Sequence, residues 1–543
     1  MRQIAIKVKS IYRRVRMILS WLKNFGIGNT RYMLQEDMRR RRDIYQVWKC
    51  DAKILRETKN EYEKSGIYIQ VISVPNDENR VTNWNRKIEE GKAQYYLCKT
   101  DDIMLSDIAK WAFAKKIQSS NAEILFCDER VENAYIYKPD FGIDTALAQN
   151  YFGNVICISK KIWTALGRFD ERIPYAAFYN SVIQCYDLLG ENAIGHVRKA
   201  LSWKRELNVS CDNDLIQKQE IIAIKEHLDR QDCAANVLNV SQRLYQINYE
   251  LREHPKVSII IPNKDNICIL RQCIESIIKK STYDNYEIVI VENNSTNKET
   301  FEYYKSISKN AKEDELSEVV QPEIHVVKCV TDWNYSYINN YGVLHANGEY
   351  IILLNNDTEV IAPDWIEQML QYAQQKEIGV VGAKLYYPDG TIQHGGVTLG
   401  IRGVAGHAFH GWSGDAYGYM NRLITVQNLT AVTAACLMIS KRVFEKIGGL
   451  DEKFKVAFND TDLCMRVRKA GYRVVYNPKV ELYHHESKSR GNDEQSPEKL
   501  RRFNSESMRF QRLYCKELLK GDMYYNDNLK VDNDDFEIRE DRI

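Results

Sequence analysis

Apolar runs of strand length alternate with amphipathic helical segments through the second half of the chain. Val257–Ile261, Glu287–Val291 and Tyr350–Leu354 are such runs, and each is followed by polar residues. Between the first two runs, apolar residues recur at helical spacing from Ile267 to Ile278. Strands that are apolar on both faces and alternate with helices predict an α/β fold with a mostly parallel sheet.

The polar residues at the strand ends are the first candidates for a binding site. In parallel sheets the ligand crevice forms at the carboxyl ends of the strands, where this chain carries Asn263, Asp265, Glu292 and Asp357. The first strand is not followed by G-x-G-x-x-G, and the chain has no P-loop motif. Neither the common dinucleotide fingerprint nor the common triphosphate fingerprint is therefore present.

Length and composition describe an ordinary globular protein. The 543 residues predict about three domains, or two large ones with extensions, and 44% are apolar and 28% charged. The 13 cysteines are never spaced C-x-x-C, which argues against a zinc ribbon or a disulfide framework. We also find no stretch of 18 or more apolar residues, and no cleavable signal peptide is visible in the sequence. We therefore expect a cytoplasmic protein without a transmembrane helix.

Charge is distributed unevenly, although the net charge is only +2 and gives no reason to expect a nucleic-acid partner. Residues 1–42 contain 12 basic and 2 acidic residues, whereas residues 522–543 contain 8 acidic and 3 basic ones. In the arm of residues 1–50, apolar residues fall on one helical face from Ile11 to Phe25. Such a helix can lie on an anionic membrane surface or pack on the chain's own domains, and both interpretations stay open.

Six motifs in the second half of the chain are specific when they are taken together and in order. They are Val257–Asp265, Ile288–Ser295, Leu353–Glu359, Gly448–Glu452, Asn459–Arg466 and His484–Gly491. Residues 256–515 thereby resemble an inverting glycosyltransferase of family 2 with the GT-A fold. Two further stretches, Asp389–Gly396 and Gly521–Asn528, resemble the subgroup described as rhamnosyltransferases.

The first half of the chain repeats the second half weakly. Residues 158–171 align with 439–452 with six of 14 identities, and Tyr95–Asp102 parallels Tyr350–Asp357. This predicts tandem GT-A domains: a degenerate GT-A-like domain (51–205), a helical connector (206–255), a catalytic domain (256–515) and an acidic tail (516–543).

The first domain is expected to be chemically disabled. We place Lys99 where Asn355 lies in the second copy, and Trp203 or Lys204 where His484 lies. An ammonium group at that place repels a metal ion. We expect a structural or acceptor-guiding role for this domain, and a second active centre is the alternative.

The resemblance implies a divalent cation, Mn²⁺ or Mg²⁺, held by Asp357 and His484. Oxygen ligands suit Mg²⁺, and an imidazole ligand shifts the preference toward Mn²⁺. His485 follows His484 directly, and spacing does not choose between the two histidines. Asn355 replaces the acidic residue that many members carry, so it brings no charge to the ion.

Asp460 is the candidate base that deprotonates the acceptor hydroxyl opposite the leaving group, which gives inversion. Asp462 is expected to cap the helix that starts here and to pair with Arg466 in a supporting role. Trp412, in the glycine-rich segment 395–418, is a candidate for stacking on an acceptor sugar. The nucleotide is assigned to Pro262, Asn263, Asp265, Glu292, Asn355, Asn356 and Arg490.

The predicted activity is the transfer of a sugar from a UDP- or dTDP-sugar to a cell-surface polysaccharide on a lipid-linked acceptor. A carboxylate such as Glu292 accepts the imide N–H of uracil and thymine alike, so the two nucleotides stay undistinguished. L-Rhamnose is the sugar that the subgroup suggests, and peripheral attachment to the inner face of the membrane is the expected location. A non-catalytic glycan-binding or scaffold protein with two disabled domains is the alternative. The oligomeric state is left open.

Overall fold

The computed structural model describes residue 50 and residues 52–204, 213–310, 322–485, 496–532 and 535–539. The predicted helix of the basic arm and the candidate residue Arg490 lie outside these ranges. Within them, no helix is both long enough and apolar enough to cross a membrane.

The first α/β unit is built on a seven-stranded sheet in the order β1-β2-β6-β4-β7-β3, with β5 paired to β4. Its strands are β1 (Ile69–Val74), β2 (Tyr95–Thr100), β3 (Ile103–Leu105), β4 (Ile124–Val131), β5 (Ala134–Ile136), β6 (Ile156–Ser159) and β7 (Ile194–Lys204). Its helices are α1 (Ala52–Lys64), α2 (Arg80–Glu90), α3 (Ala109–Gln118), α4 (Ile143–Ala148), α5 (Lys160–Ala165) and α6 (Ala177–Leu189).

The connector between the two units is only partly helical, which corrects the prediction for residues 206–255. Helix α7 (Asn213–Arg230) is followed by an antiparallel hairpin of β8 (Ala235–Ser241) and β9 (Leu244–Tyr249). Arg243 sits at the turn with a φ of +57°. In β9, Tyr245, Ile247 and Tyr249 alternate with Gln246 and Asn248, a pattern of period two that favours a strand over a helix.

The second unit is built on a ten-stranded sheet in the order β12-β11-β10-β13-β20-β15-β21-β14, with β16 on β15 and β19 on β21. Its helices are α8 (Ile267–Lys280), α9 (Lys298–Asn310), α10 (Tyr335–Leu344), α11 (Trp365–Ala373), α12 (Lys441–Lys446), α13 (Asn459–Lys469), α14 (Pro497–Leu513) and α15 (Cys515–Lys520). Its strands are β10 (Val257–Asn263), β11 (Tyr286–Glu292), β12 (Glu323–Lys328), β13 (Tyr350–Leu354), β14 (Thr358–Val360), β15 (Ile378–Tyr386), β16 (Ile392–His394), β19 (Gln427–Asn428), β20 (Cys436–Ser440) and β21 (Arg473–His484). A separate hairpin contains β17 (Val397–Leu399) and β18 (Ala405–His407).

The two sheets share one connectivity. The order β1-β2-β6-β4-β7-β3 corresponds strand by strand to β10-β13-β20-β15-β21-β14, with a reversed strand, β6 or β20, at the same inner place and another, β3 or β14, at the same edge. This confirms the predicted α/β fold of tandem, mostly parallel sheets. Pairing registers then align the two copies: Tyr95 faces Ser159 as Tyr350 faces Ser440.

That register corrects one assignment made from the sequence. Counting from Tyr95 and Tyr350, the residue at the position of Asn355 is Thr100, and Lys99 falls at the position of Leu354. Ile103 pairs with Lys204 as Thr358 pairs with His484, so Lys204 is the counterpart of His484.

A shared apolar core holds both units together. Every residue of β10 and β11 is buried, and α8 covers them with Leu270, Ile274 and Ile277. Burying one such side chain contributes roughly 1.5–3 kcal/mol. The cluster that contains these residues continues into the first unit through Phe152 and Tyr179, so no layer of water separates the two sheets.

Buried polar contacts fix how the two units dock. Asp144 of α4 accepts from the side chain of Asn428 at 2.6 Å and pairs with Arg473 at 2.7 Å. Thr145 adds two hydrogen bonds to the same asparagine, one from its backbone N–H and one to its hydroxyl. Because a buried charge is expensive without its partner, this cluster specifies a single arrangement of the two units.

The segment 521–528, predicted as part of a separate acidic tail, is inserted between the units. Asp522 accepts from the Leu399 N–H and the Thr430 hydroxyl of the second unit, at 2.8 and 2.7 Å. Asn526 donates to Asp128 of the first unit at 3.0 Å. The rhamnosyltransferase-like stretch therefore links the two units by hydrogen bonds to both of them.

Candidate functional site

A cleft of about 910 Å³ opens at the carboxyl ends of β10 and β13. Its walls also include the Thr433–Ala435 turn, the start of α13 and the end of β21. The predicted site residues that line it are Pro262, Asp265, Asn355, Asn356, Asp357, Asp460 and His484. Asn263, Glu292, Asp462, Arg466 and Trp412 are not part of its lining.

Asp357 and His484 meet because β14 and β21 pair in antiparallel fashion. Thr358 stands opposite His484, and the His485 N–H donates to the Asp357 carbonyl at 2.8 Å. Asp357 Oδ1 consequently lies 3.3 Å from His484 Nε2. The Asn355 amide is 3.2 Å from the same nitrogen.

The unsatisfied atoms of this pair fit a cation. Asp357 Oδ1 and His484 Nδ1 are buried and have no hydrogen-bond partner among the described residues. Burial raises the pKa of the Asp357 carboxyl, but contact with the His484 ring outweighs burial and keeps that pKa below its usual value. A buried, ionised carboxylate oxygen without a donor is costly unless a cation binds it. The residues therefore fit the Mn²⁺ or Mg²⁺ site predicted here.

His485 points elsewhere. Its Nε2 lies 3.4 Å from Glu359, on the other face of the strand pair, and it does not line the cleft. Successive side chains of a strand point to opposite faces, so only one of the two histidines reaches the cleft. The geometry supports His484 as the candidate ligand.

The nucleotide side of the cleft is organised by a short polar chain. Asn356 donates to the Asn263 amide oxygen at 2.6 Å, and Asn263 donates to the Tyr304 hydroxyl at 2.8 Å. Asn263 therefore lies beneath the cleft and positions Asn356. Asp265, with a φ of +49°, accepts from the N–H groups of Thr296 and Asn297 at 2.9 Å each.

Asp265 is thereby held ionised. Partial burial raises its pKa, but the N–H groups of Asn297 and Thr296 outweigh burial and lower it. Both of these hydrogen bonds come from the loop after β11. Asp265 therefore holds this loop in place and also lines the cleft.

Glu292 lies at the end of β11, behind the wall. Its Oε1 accepts from the Ser295 N–H at 2.5 Å, whereas its buried Oε2 has no hydrogen-bond partner among the described residues. The predicted contact with the base stays a prediction, since Glu292 does not line the cleft.

Asp460 stands on the opposite wall, in the first turn of α13. The turn begins at Phe458, whose φ of +62° bends the backbone sharply before the helix. Asp460 Oδ2 accepts from the Ala434 N–H at 3.2 Å, and Oδ1 accepts from the Thr461 N–H at 2.7 Å. The carboxylate is fixed in orientation while it faces the cleft.

Asp462 and Arg466 form the expected ion pair, with Nε and Oδ2 2.8 Å apart. Asp462 does not cap the helix, however, because the N-cap position is Phe458 and no side chain accepts a capping hydrogen bond there. Its second oxygen accepts from the Tyr514 hydroxyl at 2.6 Å, and Arg466 donates to the carbonyls of Ile447 and Gly449. Both residues brace α13 from behind.

Trp412 is not at the cleft, which corrects its predicted place. It packs edge-on against Phe409, 5.2 Å between ring centres, in a cluster next to the first unit. The aromatic residues that do line the cleft are Trp333, Tyr335, Phe458 and Phe503. The sequence analysis did not identify them. Only Trp333 could have been noticed, because it is a large aromatic residue in the loop after β12, where polar residues are expected.

A comparison with known protein families matches part of the second unit. Residues 258–448 match the family described as Glycosyl transferase family 2. These residues form a family 2 glycosyltransferase domain. The resemblance inferred from the six motifs is confirmed.

Relatives of the chain extend beyond this domain. It is 35% identical over 467 residues to the "Uncharacterized protein y4gI" of Sinorhizobium fredii, covering 83% of this chain and 50% of that protein. It is 32% identical over 457 residues to "O-antigen biosynthesis protein RfbC" of Myxococcus xanthus, covering 81% and 34%. The chain thus spans half or less of the length of these curated relatives.

A shorter match, 27% identical over 154 residues, is to the "N-acetylglucosaminyl-diphospho-decaprenol L-rhamnosyltransferase" of Mycobacterium tuberculosis, covering 27% of this chain and 50% of that protein. Among solved structures, the chain is similar to a mannosyltransferase from Pyrobaculum calidifontis in complex with GDP-Man and Mn²⁺. That match has 14% identity and a TM-score of 0.34, and it covers 50% of this chain and 74% of the other.

The first unit carries the counterpart of the Asp357–His484 pair, but with a lysine in place of the histidine. Lys204 Nζ lies 3.9 Å from Asp102, at the place where His484 faces Asp357. Lys99 donates to the Ser73 hydroxyl at 2.8 Å and to the Thr100 carbonyl at 3.0 Å. Lys99 and Lys204 therefore bring positive charge to the edge of the first sheet that corresponds to the cleft edge of the second.

Proposed function

We propose that the family 2 domain is an inverting glycosyltransferase that moves a sugar from a UDP- or dTDP-sugar to a glycan acceptor. One observation carries the proposal: the candidate metal pair, Asp357 and His484, and the oriented carboxylate of Asp460 line the same cleft.

Asp460 is the proposed base. Its two oxygens are held by the Ala434 and Thr461 N–H groups, so the carboxylate does not rotate when the acceptor hydroxyl arrives. It accepts the proton of that hydroxyl as the oxygen attacks the anomeric carbon and the nucleoside diphosphate leaves from the opposite face. A single displacement of this kind inverts the anomeric centre, and positioned general bases contribute about 10²–10⁴-fold.

The opposite wall receives the nucleotide. Asp265, Asn356 and Pro262 shape this side, and Lys264 adds a cationic side chain to the lining. Asp357 and His484 would hold a divalent cation, with Asn355 beside them, and when bound the ion neutralises the charge that develops on the leaving diphosphate. Glu292 Oε2 is the proposed acceptor for the imide N–H of the base, which requires the nucleotide to reach behind the cleft wall.

The finer assignments rest on the sequence and on the relatives' names. An L-rhamnose donor and a lipid-linked acceptor follow from the rhamnosyltransferase-like motifs and from the name of the mycobacterial relative. A place at the inner face of the membrane follows from the basic arm of residues 1–42. The first unit is proposed to be structural or acceptor-guiding.

A donor panel tests the proposal. The full chain is incubated with UDP- and dTDP-sugars, including dTDP-L-rhamnose, with Mn²⁺ or EDTA, and with N-acetylglucosaminyl-diphospho-decaprenol as acceptor. We expect metal-dependent release of UDP or dTDP together with a glycosylated lipid, and loss of both in Asp357→Asn. Absence of turnover with every donor would contradict the proposal and favour a glycan-binding protein.

A further inference from the structure

The first turn of α10 is hydrogen-bonded to the loop that leads to the candidate base. The Tyr335 N–H donates to the Lys455 carbonyl at 2.8 Å, and the Ser336 hydroxyl donates to the Phe454 carbonyl at 2.6 Å. Helix α13, with Asp460 in its first turn, begins a few residues after these carbonyls. The start of α10 therefore holds the chain in place just before the base.

The side chain of Tyr335 links α10 to a second segment, the turn at 433–435. Its hydroxyl donates to the Ala434 carbonyl at 2.9 Å, and the Ala434 N–H donates to Asp460 Oδ2 at 3.2 Å. Tyr335 and Asp460 thus bind the two backbone groups of one residue. Because the two hydrogen bonds share Ala434, a movement of the turn that breaks the first also disturbs the second.

The carboxylate of Asp460 depends on this turn for its orientation. Its Oδ1 accepts from the N–H and the hydroxyl of Thr461, at 2.7 and 3.2 Å, and Thr461 belongs to the same helix as Asp460. Among the described residues, the Ala434 N–H is the one donor to this carboxylate from another element. Without that donor, no described residue outside α13 would fix the direction of Oδ2.

The Tyr335 hydroxyl is protonated and acts as the donor. Burial, followed by the charge of Asp460, raises the pKa of this hydroxyl, and contact with the Asn339 side chain lowers it by less. A carbonyl oxygen only accepts, so the phenolic proton lies between Tyr335 and Ala434. The influence of Asp460 on this pKa also indicates that its charge lies close to the tyrosine.

We propose that Tyr335 is a positioning residue for the base: by holding the Ala434 carbonyl, its hydroxyl keeps the Ala434 N–H on Asp460 and the carboxylate directed at the acceptor hydroxyl. This inference rests on the proposed function, because it presupposes that Asp460 takes a proton from an acceptor. The Tyr335 ring also lines the cleft, so the test has to separate the hydroxyl from the ring.

Amide hydrogen exchange tests the link to the turn without any substrate. Tyr335→Phe removes the hydroxyl and keeps the ring, and mass spectrometry of the full chain follows the peptides that contain Ala434. We expect these peptides to exchange about fivefold faster in the variant, because local opening of the turn loses one hydrogen bond. Tyr337→Phe is the matched control, since Tyr337 lies on the same helix and is 40% exposed, and it should leave the exchange unchanged. Equal exchange in Tyr335→Phe and the wild-type chain would overturn the inference.

Kinetics with the donor and acceptor of the panel test the role in transfer. In Tyr335→Phe we expect kcat to fall about tenfold, while the KM for the acceptor and the Mn²⁺-dependent binding of UDP and dTDP stay near the wild-type values. 4-Aminophenylalanine in place of Tyr335 restores a donor at the same position of the ring and should recover most of kcat. A rise in the acceptor KM with unchanged kcat would indicate direct contact with the acceptor and would refute the positioning role.

A double-mutant cycle separates positioning from a purely structural role. In the Asp460→Asn background there is no base to orient, so adding Tyr335→Phe should change the residual transfer by less than about twofold. A residue that only stabilises the fold should lower transfer by the same factor, about tenfold, in both backgrounds. Equal factors would therefore contradict the proposal.

Failure of the proposed function is distinguishable from failure of this inference. If the wild-type chain turns over no donor, the proposed function fails, and the role of Tyr335 at a base falls with it. If the wild-type chain is active and Tyr335→Phe keeps its kcat, only the inference is overturned.

Discussion

The two units share one sheet topology, and each places a carboxylate opposite a basic side chain at the same two positions. The basic side chain differs between them. Asp102 faces Lys204 in the first unit, and Asp357 faces His484 in the second. In each unit one oxygen of the carboxylate is buried without a hydrogen-bond partner among the described residues, but the facing group differs: a lysine brings its own positive charge, whereas an imidazole can share a cation with the carboxylate. The same fold thus has one copy in which an ammonium group faces the carboxylate and one copy in which the facing imidazole fits a cation.

The candidate base is present in only one of the two units, although both have the same fold. Helix α6 occupies the topological place of α13, yet its first turn contains no acidic residue, whereas α13 begins with Asp460 and Asp462. Loss of these charges and gain of Lys204 leave the sheet order intact. A sheet of this kind is stabilised by its buried strands, so the residues at its carboxyl edge can change without cost to the fold.

Replacing Asp460 tests the largest difference between the units. Asp460→Asn keeps the shape and most hydrogen bonds but removes the proton acceptor, so we expect sugar transfer to fall about 10²–10⁴-fold. Binding of UDP or dTDP with Mn²⁺, measured by calorimetry, should stay near the wild-type value. Transfer at more than a tenth of the wild-type rate would contradict the assignment of the base.

Converting the second unit to the chemistry of the first is the next test. His484→Lys should place an ammonium beside Asp357, and we expect Mn²⁺-dependent nucleotide binding to weaken by more than the roughly 10–100-fold that loss of an outer partner of a metal ligand costs. His485→Lys is the adjacent control and should bind normally, because His485 contacts Glu359 outside the cleft. Equal losses in both variants would refute the choice of His484.

Loss of a contact made by the segment 521–528, which links the two units, should have a smaller effect, and this effect is on stability. Asp522→Ala removes the acceptor of the Leu399 N–H and the Thr430 hydroxyl, so we expect the free energy of unfolding to fall by about 1–3 kcal/mol. Asp532→Ala, at an exposed position shortly after that segment, should change it by less than about 0.5 kcal/mol. Chemical denaturation of the full chain measures both. Equal stability of the two variants would show that the segment does not hold the units together.

The smallest effect concerns pH. His196 of the first unit lies 2.9 Å from both Asp128 and Asp140; burial lowers its pKa, but the two carboxylates outweigh burial and raise it. A group whose pKa is higher in the folded than in the unfolded state stabilises the fold most below its unfolded-state pKa, which is about 6.5 for histidine. This contribution is lost as the pH rises through the pKa of the folded state. The destabilisation caused by His196→Asn should therefore be largest near pH 6 and shrink toward pH 9. Denaturation series at several pH values check it, and a constant difference would contradict the charge assignment.

Much of the fold could be read from local patterns. Strand Tyr350–Leu354 and the helix after Pro363 lie where apolar periodicity predicted them, since burial on a strand or helix face repeats at a fixed short spacing. The order of motifs similarly identified the family 2 domain and the candidates Asp357, Asp460 and His484.

Other features depended on which strands pair. Spacing alone did not choose between His484 and His485, and the choice of His484 rested on the family resemblance until the pairing of β14 with β21 brought His484 to the cleft. Trp412 was assigned to the acceptor, but it packs beside Phe409, and the hydrogen bond from Tyr335 to Ala434 went unnoticed. Local periodicity sets which face of an element is buried, whereas the antiparallel pairing of β14 with β21 brings Asp357 to His484 across 127 positions of sequence, and no short-range pattern encodes that contact.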